Sequence, residues 1–251
     1  MPDDLARIHR FEREVEMAGT QTVASPLGVG VLTPELPRRH DSNYFFLERA
    51  ETAREAMAEA DRILGGAGAN HRVILTFDEE LGRQLEPAFL ASGWGRQRHV
   101  FMAHRREPTK EVDLSTVSEV DEAALRPGRT RAICSYPWGS PELAKELLDA
   151  KVLLRDRAET RFFCVPVDDE IVAWTDLYLA QGMAQVEDVA TFEEHRGQGY
   201  ASAVVMRAVR EAQAAGADLI FLVADDEDWP KELYERLGFE IVGRSYKFIR
   251  P

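Results

Sequence analysis

The sequence is poor in cysteine, and it has no long hydrophobic run. Its two cysteines, Cys134 and Cys164, lie far apart and outside metal-ligand spacing. This argues against a zinc site or a disulfide framework and favours reduced thiols in a cytoplasmic protein. No apolar run approaches the roughly 20 residues that cross a bilayer. The acidic segment Met1–Asp4 lacks the basic and apolar regions of a signal peptide.

Positive charge is also in deficit. The 251 residues include 31 lysines and arginines against 44 aspartates and glutamates, which gives a formal net charge of −13. This balance argues against nucleic acid and an anionic membrane surface as partners. Solubility alone explains the acidity, although the same charge favours a cationic substrate such as an amine. A hydrophobic fraction of 45% suffices for one large domain or two smaller ones.

The hydrophobic pattern alternates between helical and strand periods, which indicates an α/β or α+β fold. The polar segment Arg105–Lys110 contains a proline and no apolar residue, and it predicts a division into domains 1–107 and 108–251. Asp168 and Asp169 separate two apolar runs and predict a hairpin turn. The predicted helices include Glu51–Leu64, Glu80–Ala91, Glu119–Leu125, Glu142–Leu154, Ala201–Ala215 and Pro230–Leu237.

The end of the first half resembles the end of the second. Ala88–Trp94 and Leu233–Phe239 share a helical segment, a glycine and an aromatic residue at matching places after a strand. We interpret this as a duplication of one fold, although the same order of elements is common in α/β proteins. Phe89 stands where the second half has Tyr234, and the first half has no equivalent of the glycine turn described next. Any chemistry is therefore expected in the second half.

The segment His195–Ala201 has the features of an anion-binding turn. The apolar strand Val186–Thr191 precedes it, and a predicted helix follows. Gly197 and Gly199 allow positive φ and a close approach of the backbone to a ligand. The first N–H groups of a helix lack intrahelical partners, and the helix dipole favours an anion there. Since Arg196 adds a fixed positive charge, the segment predicts a diphosphate site.

These residues resemble the GNAT superfamily of N-acetyltransferases, which transfer the acetyl group of acetyl-CoA to a primary amine. The family motif (Gln/Arg)-x-x-Gly-x-(Gly/Ala) is matched by Arg196, Gly199 and Ala201, and Leu233–Phe239 resembles the closing Leu-Tyr-x-x-Leu-Gly-Phe signature. The resemblance covers Val112–Ile249 and, in degraded form, the first half. It implies a tandem protein of two GNAT-like domains with a degenerate N-terminal copy. Each domain would be a mixed, mostly antiparallel twisted sheet flanked by helices.

The resemblance also implies where acetyl-CoA binds. Its diphosphate would lie on the N–H groups of the glycine turn, and its pantetheine arm would pair with the exposed edge of the preceding strand. A backbone N–H at about Val189 would stabilise the negative charge that develops on the acetyl oxygen. The cofactor-binding residues are then expected to be Val189, Ala190, Thr191, Arg196, Gly197, Gln198, Gly199, Tyr200 and Ala201, with no metal.

Two further residues are implied in catalysis. Tyr234 stands at the family's general-acid position, where it would protonate the departing CoA thiolate. Glu187 has two interpretations that remain open: a base for the incoming ammonium, directly or through water, and a surface carboxylate on an alternating strand. Strict alternation places Asp188 on the opposite face. The acidic run Asp225–Asp228 stands where many relatives have an asparagine, which puts that cofactor contact in doubt.

The leading hypothesis is an acetyl-CoA-dependent N-acetyltransferase that acts on a small amine rather than on a protein or peptide. The alternative is a non-catalytic CoA-binding sensor or interaction module, which has no need for the Tyr234 hydroxyl. A dinucleotide or P-loop fold is disfavoured, because the turn lacks the third glycine of the first and the Gly-Lys-Ser/Thr of the second. Monomer and homodimer both remain open.

Overall fold

The structure, a computed structural model, describes residues 2–151 and 156–251 of the chain. Its α-helices are α1 (Pro2–Phe11), α2 (Ala53–Ala60), α3 (Glu79–Ala91), α4 (Glu122–Cys134), α5 (Pro141–Asp149), α6 (Tyr200–Ala214) and α7 (Pro230–Arg236). Its strands are β1 (Gln21–Ser25), β2 (Gly28–Leu32), β3 (Tyr44–Leu47), β4 (Arg72–Thr76), β5 (Gly95–His104), β6 (Ser118–Val120), β7 (Glu159–Val167), β8 (Glu170–Ala180), β9 (Met183–Thr191), β10 (Leu219–Asp225) and β11 (Phe239–Arg250).

The described chain is mixed α/β, and most of its strand pairs are antiparallel. Parallel pairing occurs between β3 and β4 and between β9 and β10, where a helix connects the two strands. This architecture confirms the predicted fold class. None of the helices in the described ranges is both long and apolar enough to cross a membrane.

The chain divides into two compact units, and neither is a continuous stretch of sequence. The first unit comprises Met1–Phe101, Ala224–Asp228 and Val242–Pro251, and the second comprises Met102–Val223 and Trp229–Ile241. The predicted division into 1–107 and 108–251 differs from this arrangement, because two short segments from the second half belong to the first unit.

In the first unit, the strands follow the order β1-β2-β3-β4-β11. The last strand of the chain pairs antiparallel with β4, from Tyr246 opposite Thr76 to Arg250 opposite Arg72. Phe248 of β11 stacks on Phe89 of α3, with ring centroids 4.0 Å apart. The hydrophobic core of this unit therefore includes side chains from the C-terminal strand.

In the second unit, β6 to β9 form an antiparallel series, and β10 pairs parallel with β9. Asp168 and Asp169 both have positive φ and join β7 to β8, which confirms the predicted hairpin. The apolar face of α6 packs on β7, β8 and β9. On α4 and these strands, Leu125, Phe162, Cys164 and Trp174 form a buried cluster.

The region around α4 differs from its sequence prediction. A short helix was expected at Glu119–Leu125, whereas the chain first forms β6 and then a longer helix that continues through Pro127 and Gly128. Proline and glycine are both unfavourable inside a helix, so local sequence preference missed this extension. The predicted helix Glu142–Leu154 corresponds to α5, and residues 152–154 lie outside the described ranges.

Two glycines of the second unit provide a matched test of backbone packing. Both have positive φ, +98° at Gly238 and +80° at Gly216. A Cβ at Gly238 would lie 1.9 Å from the carbonyl oxygen of Arg106, whereas a Cβ at Gly216 would meet nothing within 4 Å. We expect Gly216→Ala to cost about 1 kcal/mol of unfolding free energy through backbone strain alone. Gly238→Ala should cost clearly more, because a backbone carbonyl must move; urea unfolding of both variants measures the difference, and equal losses would contradict the argument.

Candidate active site

The predicted anion-binding turn has the required backbone conformation. After β9, residues Glu193–His195 form a single 3-10 turn, and the chain then passes through Gly197 at φ +78° and Gly199 at φ +84° into α6. An added Cβ at either glycine would meet nothing within 4 Å. The glycines are therefore needed for their positive φ rather than for tight packing, and the space beside them is open to a ligand.

The beginning of α6 carries no side-chain cap. Its N-cap residue is Gly199, and no side chain there accepts a hydrogen bond from the first turn. By contrast, α2 of the first unit begins with a complete capping box, in which Thr52 accepts from the Glu55 N–H and the Glu55 carboxylate accepts from the Thr52 N–H. At the start of α2, the N–H groups of Thr52 and Glu55 are thus occupied by side chains of the helix end itself. The first turn of α6 presents its N–H groups to an external anion.

A cleft of about 360 Å³ borders this helix start within the second unit. Gly199, Tyr200 and Ser202 from the start of α6 line one part of it, and Leu233 and Arg236 of α7 line another. The segment 109–113 completes the lining and contributes the charged residues Lys110, Glu111 and Asp113. The sequence predicts no ligand contact in 109–113, because a polar segment at this place is typical of a linker.

The strand before the turn separates from its parallel neighbour. The pairing of β9 with β10 runs from Met183 opposite Leu219 to Gln185 opposite Phe221 and ends there, although both strands continue. Beyond Gln185, the β10-facing edge of β9 is therefore open over the residues predicted to bind the pantetheine arm, Val189, Ala190 and Thr191. An open strand edge offers N–H and C=O groups to an extended amide chain.

A β-bulge interrupts β9 at the same place. Asp176 of β8 faces Glu187, and Trp174 faces Ala190, so Thr175 lies opposite the two residues Asp188 and Val189. Asp188 has a φ of +52°, which is uncommon for a residue other than glycine. A bulge leaves its extra residue outside the regular hydrogen-bond pattern. The backbone at Asp188 and Val189 is thereby turned out of the normal pairing with β8.

Tyr234 and Glu187 are close enough to interact electrostatically. Tyr234 lies on α7 and is 8% exposed. Burial raises the pKa of its phenol well above the ordinary value, and the Glu187 carboxylate raises it further. The Glu187 Oε2 accepts a hydrogen bond from Gln185 Nε2 at 3.1 Å. The structure thus brings together the two residues predicted for acid–base catalysis, with the phenol protonated at neutral pH.

Four charged groups beside the bulge were not predicted as site residues. Arg129 of α4 is 3% exposed and forms an ion pair with Asp176, which is fully buried. Arg129 Nε also lies 2.9 Å from Asp188 Oδ2, and Lys151 Nζ lies 2.6 Å from Asp176 Oδ2 and 3.4 Å from Asp188 Oδ2. Strict alternation placed Asp188 on the face opposite Glu187. This expectation is wrong, because the bulge turns its carboxylate towards the cations that also bind Asp176.

The acidic run Asp225–Asp228 has arginine partners within the first unit. Asp226 pairs with Arg98 at 3.4 Å and with Arg244 at 3.2 Å. Glu227 lies 2.7 Å from Arg96. These contacts offset much of the charge that raised doubt about a phosphorylated cofactor. The N-cap of α7 is Trp229, and Pro230 opens the helix at the predicted position. Among the described residues, no group of His, Cys, Asp and Glu has an arrangement suited to a metal ion.

Comparison with known proteins identifies the domain that contains these features. Residues 128–239 match the family model of the acetyltransferase (GNAT) family. This part of the chain is therefore similar to a GNAT domain. The matched range includes the glycine turn, the bulged strand and Tyr234, so the GNAT assignment rests on the same residues as the geometry. Acetyl-CoA-dependent acetyl transfer is the general activity of this family. No curated protein matches the chain.

Solved structures extend the fold similarity beyond the GNAT domain. A conserved protein of unknown function from Staphylococcus epidermidis aligns over 92% of this chain and 93% of its own, with a TM-score of 0.72 and 16% identity. A GCN5-related N-acetyltransferase from Kribbella flavida aligns over 100% and 92%, with a TM-score of 0.60 and 19% identity. A tandem GNAT protein from the clavulanic acid biosynthesis pathway aligns over 78% and 69%, with a TM-score of 0.54 and 14% identity. At these identities the likeness concerns the fold.

The raised pKa of Tyr234 predicts a change in stability at alkaline pH. A phenol whose pKa is higher in the folded state than the ordinary value of 10 favours folding below about pH 10, and this contribution is lost as the pH rises further. We therefore expect Tyr234→Phe to lose less unfolding free energy than the wild type between pH 9 and pH 11, measured by urea unfolding. The control is Tyr200→Phe, which removes an exposed hydroxyl that donates to Gln198 Oε1 at 3.1 Å. An identical pH dependence in all three proteins would contradict the prediction.

Proposed function

We propose that this protein is an acetyl-CoA-dependent N-acetyltransferase that acetylates the primary amine of a small molecule by direct attack. The observation that carries the proposal is the combination of an uncapped α6, preceded by two glycines at positive φ, with the open edge of β9 beyond Gln185. Together they offer one site for an anion and one for an extended amide chain. Acetyl-CoA contains both groups.

The cofactor fits the described residues in three parts. The N–H groups from Gly197 to Ala201 and the side chain of Arg196 would hold the diphosphate. The open edge of β9 at Val189, Ala190 and Thr191 would pair with the pantetheine amides. The cleft between α6 and α7 gives space for the nucleotide end, with Lys110 and Arg236 as its cationic side chains. When bound, acetyl-CoA supplies the activated acetyl thioester.

The residues around the bulge supply the remaining functions. The Val189 N–H would donate a hydrogen bond to the acetyl carbonyl oxygen, where negative charge develops during attack. Tyr234 is protonated at neutral pH, as an ordinary phenol is, and its raised pKa keeps it so; its hydroxyl can therefore donate to the departing sulfur. Since a phenol is a weaker acid than a thiol, this transfer depends on close positioning. Glu187, oriented by Gln185, would accept the proton of the incoming ammonium directly or through water.

We further propose that the first half is a second GNAT-like copy without a cofactor site. Its strands β1 to β4 repeat the pairing of β7 to β10: two antiparallel pairs followed by one parallel pair. A helix connects the two parallel strands in each set, and another follows the fourth strand. The capping box of α2 occupies the N–H groups of Thr52 and Glu55, whereas the start of α6 has no side-chain cap. One active site per chain is the consequence.

The acceptor is proposed from charge alone. A formal net charge of −13 favours a cationic molecule, and a small amine carries that charge at neutral pH. A cytoplasmic location, expected from the sparse cysteines, and a monomeric or homodimeric state remain predictions. A screen of primary amines, with release of the CoA thiol as the readout, identifies the acceptor.

Acetyl-CoA is expected to stabilise the protein against heat. At a concentration of about 100 times Kd, binding adds roughly 2.7 kcal/mol, which corresponds to a rise in Tm of about 5 to 10 °C. Arg196→Ala should lose most of this rise, because a charge–phosphate interaction is removed. The control Arg38→Ala removes an exposed arginine of the first unit and should keep the full rise. A wild-type melting curve that does not change at millimolar acetyl-CoA would contradict the proposal.

Tyr234 distinguishes an enzyme from a binding module. Tyr234→Phe removes the hydroxyl and leaves the ring, so acetyl-CoA should raise the Tm of the variant as it raises that of the wild type. Amine-dependent thiol release should fall about 100-fold or more, the usual contribution of a general acid. Full turnover in Tyr234→Phe would remove the acid assignment. Absence of amine-dependent thiol release in the wild type, with binding intact, would favour the non-catalytic alternative.

A further inference from the structure

The bulge in β9 holds Asp188 in the left-handed region, which aspartate tolerates better than most residues other than glycine but still at a cost. At a φ of +52°, the Cβ of Asp188 is crowded against its own backbone, at a cost of about 1 to 2 kcal/mol for an L-residue. Such a conformation persists only when the surrounding structure enforces it. Some interaction of the Asp188 side chain or of its neighbours must therefore hold the bulge.

We propose that Arg129 and Lys151 are positioning residues, which hold the Asp188 carboxylate so that the bulge keeps the Val189 N–H directed at the acetyl carbonyl oxygen. This inference rests on the proposed function, since it assigns a cause to the geometry of that site. It concerns residues outside the glycine turn and outside the Tyr234–Glu187 pair.

The contacts connect the two sides of the bulge. Asp188 Oδ2 lies 2.9 Å from Arg129 Nε and 3.4 Å from Lys151 Nζ. Both cations also bind Asp176, which lies directly opposite Glu187 on the neighbouring strand. Tyr178 Oη donates to Asp176 Oδ2 at 3.0 Å and fixes that carboxylate from its own strand. The cluster thus ties Asp176 on β8, opposite the residue before the bulge, and Asp188 within the bulge to the same two cations.

Stability alone is a poor explanation for this cluster. Buried ion pairs often contribute less than apolar residues of similar volume, because both charges lose their hydration. Arg129 is 3% exposed, and its Nε and Nη1 are both buried without a hydrogen-bond partner in the described structure, which adds a further cost. The 2.9 Å contact of Nε with Asp188 is therefore an ion pair without hydrogen-bond geometry. Although burial acts to lower the pKa of Lys151, the carboxylates of Asp176 and Asp188 raise it overall, so Lys151 is charged at neutral pH. What the cluster does achieve is a fixed direction for the Asp188 side chain.

Substitutions at Asp188 separate the backbone conformation from the carboxylate. Asp188→Ala removes the carboxylate and disfavours the positive φ, whereas Asp188→Gly removes the same carboxylate and accepts that φ without strain. Lys151→Met removes one of the two cations, at a position where the side chain is partly accessible to solvent. Circular dichroism and urea unfolding establish that each variant is folded before binding is measured.

The readout is the ratio of the Kd for CoA to the Kd for acetyl-CoA, measured by calorimetry. Only acetyl-CoA has the carbonyl that Val189 would contact, so the ratio reports this hydrogen bond and requires no acceptor. We expect the wild-type ratio to exceed one and to fall about threefold to tenfold in Asp188→Ala, the effect of one hydrogen bond. Asp188→Gly should recover most of it. Lys151→Met as a single substitution should lower the ratio below that of the wild type. Added to Asp188→Gly, it should leave the ratio of that variant unchanged.

Three results would overturn the inference. The first is a wild-type ratio of one, which leaves cofactor binding under the proposed function intact. The second is a ratio in Asp188→Ala equal to that of the wild-type protein. The third is an equal fall of the ratio in Asp188→Ala and Asp188→Gly. An equal fall would mean that the carboxylate contacts the cofactor directly or contributes only to general stability. Failure of the wild type to bind either CoA or acetyl-CoA would instead overturn the proposed function and the inference with it.

Discussion

The N–H groups at the start of α6 must have no protein partner if they are to bind an anion, and the neighbouring structure follows from this constraint. Glycine is suited to the N-cap here because it supplies a positive φ and carries no side chain that would occupy the site. At the start of α2, by contrast, Thr52 and Glu55 form a capping box, in which each side chain accepts a hydrogen bond from the backbone N–H of the other residue. A helix end that is completed by its own cap contributes to stability, and one that is left open is available to a ligand.

In the proposed site, the bulge in β9 provides a second backbone N–H group, which would meet the negative charge that develops on the acetyl oxygen. Both parts of the proposed site therefore consist of backbone N–H groups, whose positions are fixed by the fold and do not depend on side-chain rotamers. Side chains would support these backbone groups: Arg196 would add charge near the diphosphate, and Arg129 and Lys151, which form ion pairs with Asp188, would hold the bulge. Most arginines of the acidic chain have carboxylate partners, including Arg96, Arg98 and Arg244 beside the run Asp225–Asp228.

Local signals predicted the parts of the structure that depend on local physics. The turn at Asp168–Asp169, the strand before the glycine turn and the proline at the first position of α7 each follow from residue preferences within a few positions. Three features had no such signal. The bulge breaks the alternation by which Asp188 was placed, α4 continues through Pro127 and Gly128 because it packs on β8, and Arg129 finds its partners on strands far along the sequence. Each depends on tertiary contacts that override local preference.

The pairing of β4 with β11 has a consequence for the order in which the protein is made. Thr76 meets its strand partner Tyr246 only after about 170 further residues have been synthesised, since these contacts are among the least local in the chain. Until then, the edge of β4 is open, and its unpaired N–H and C=O groups can pair with another chain. A cut between residues 107 and 108 would remove this strand from the first unit permanently. The first unit can therefore be completed only after residues Val242–Pro251 have left the ribosome.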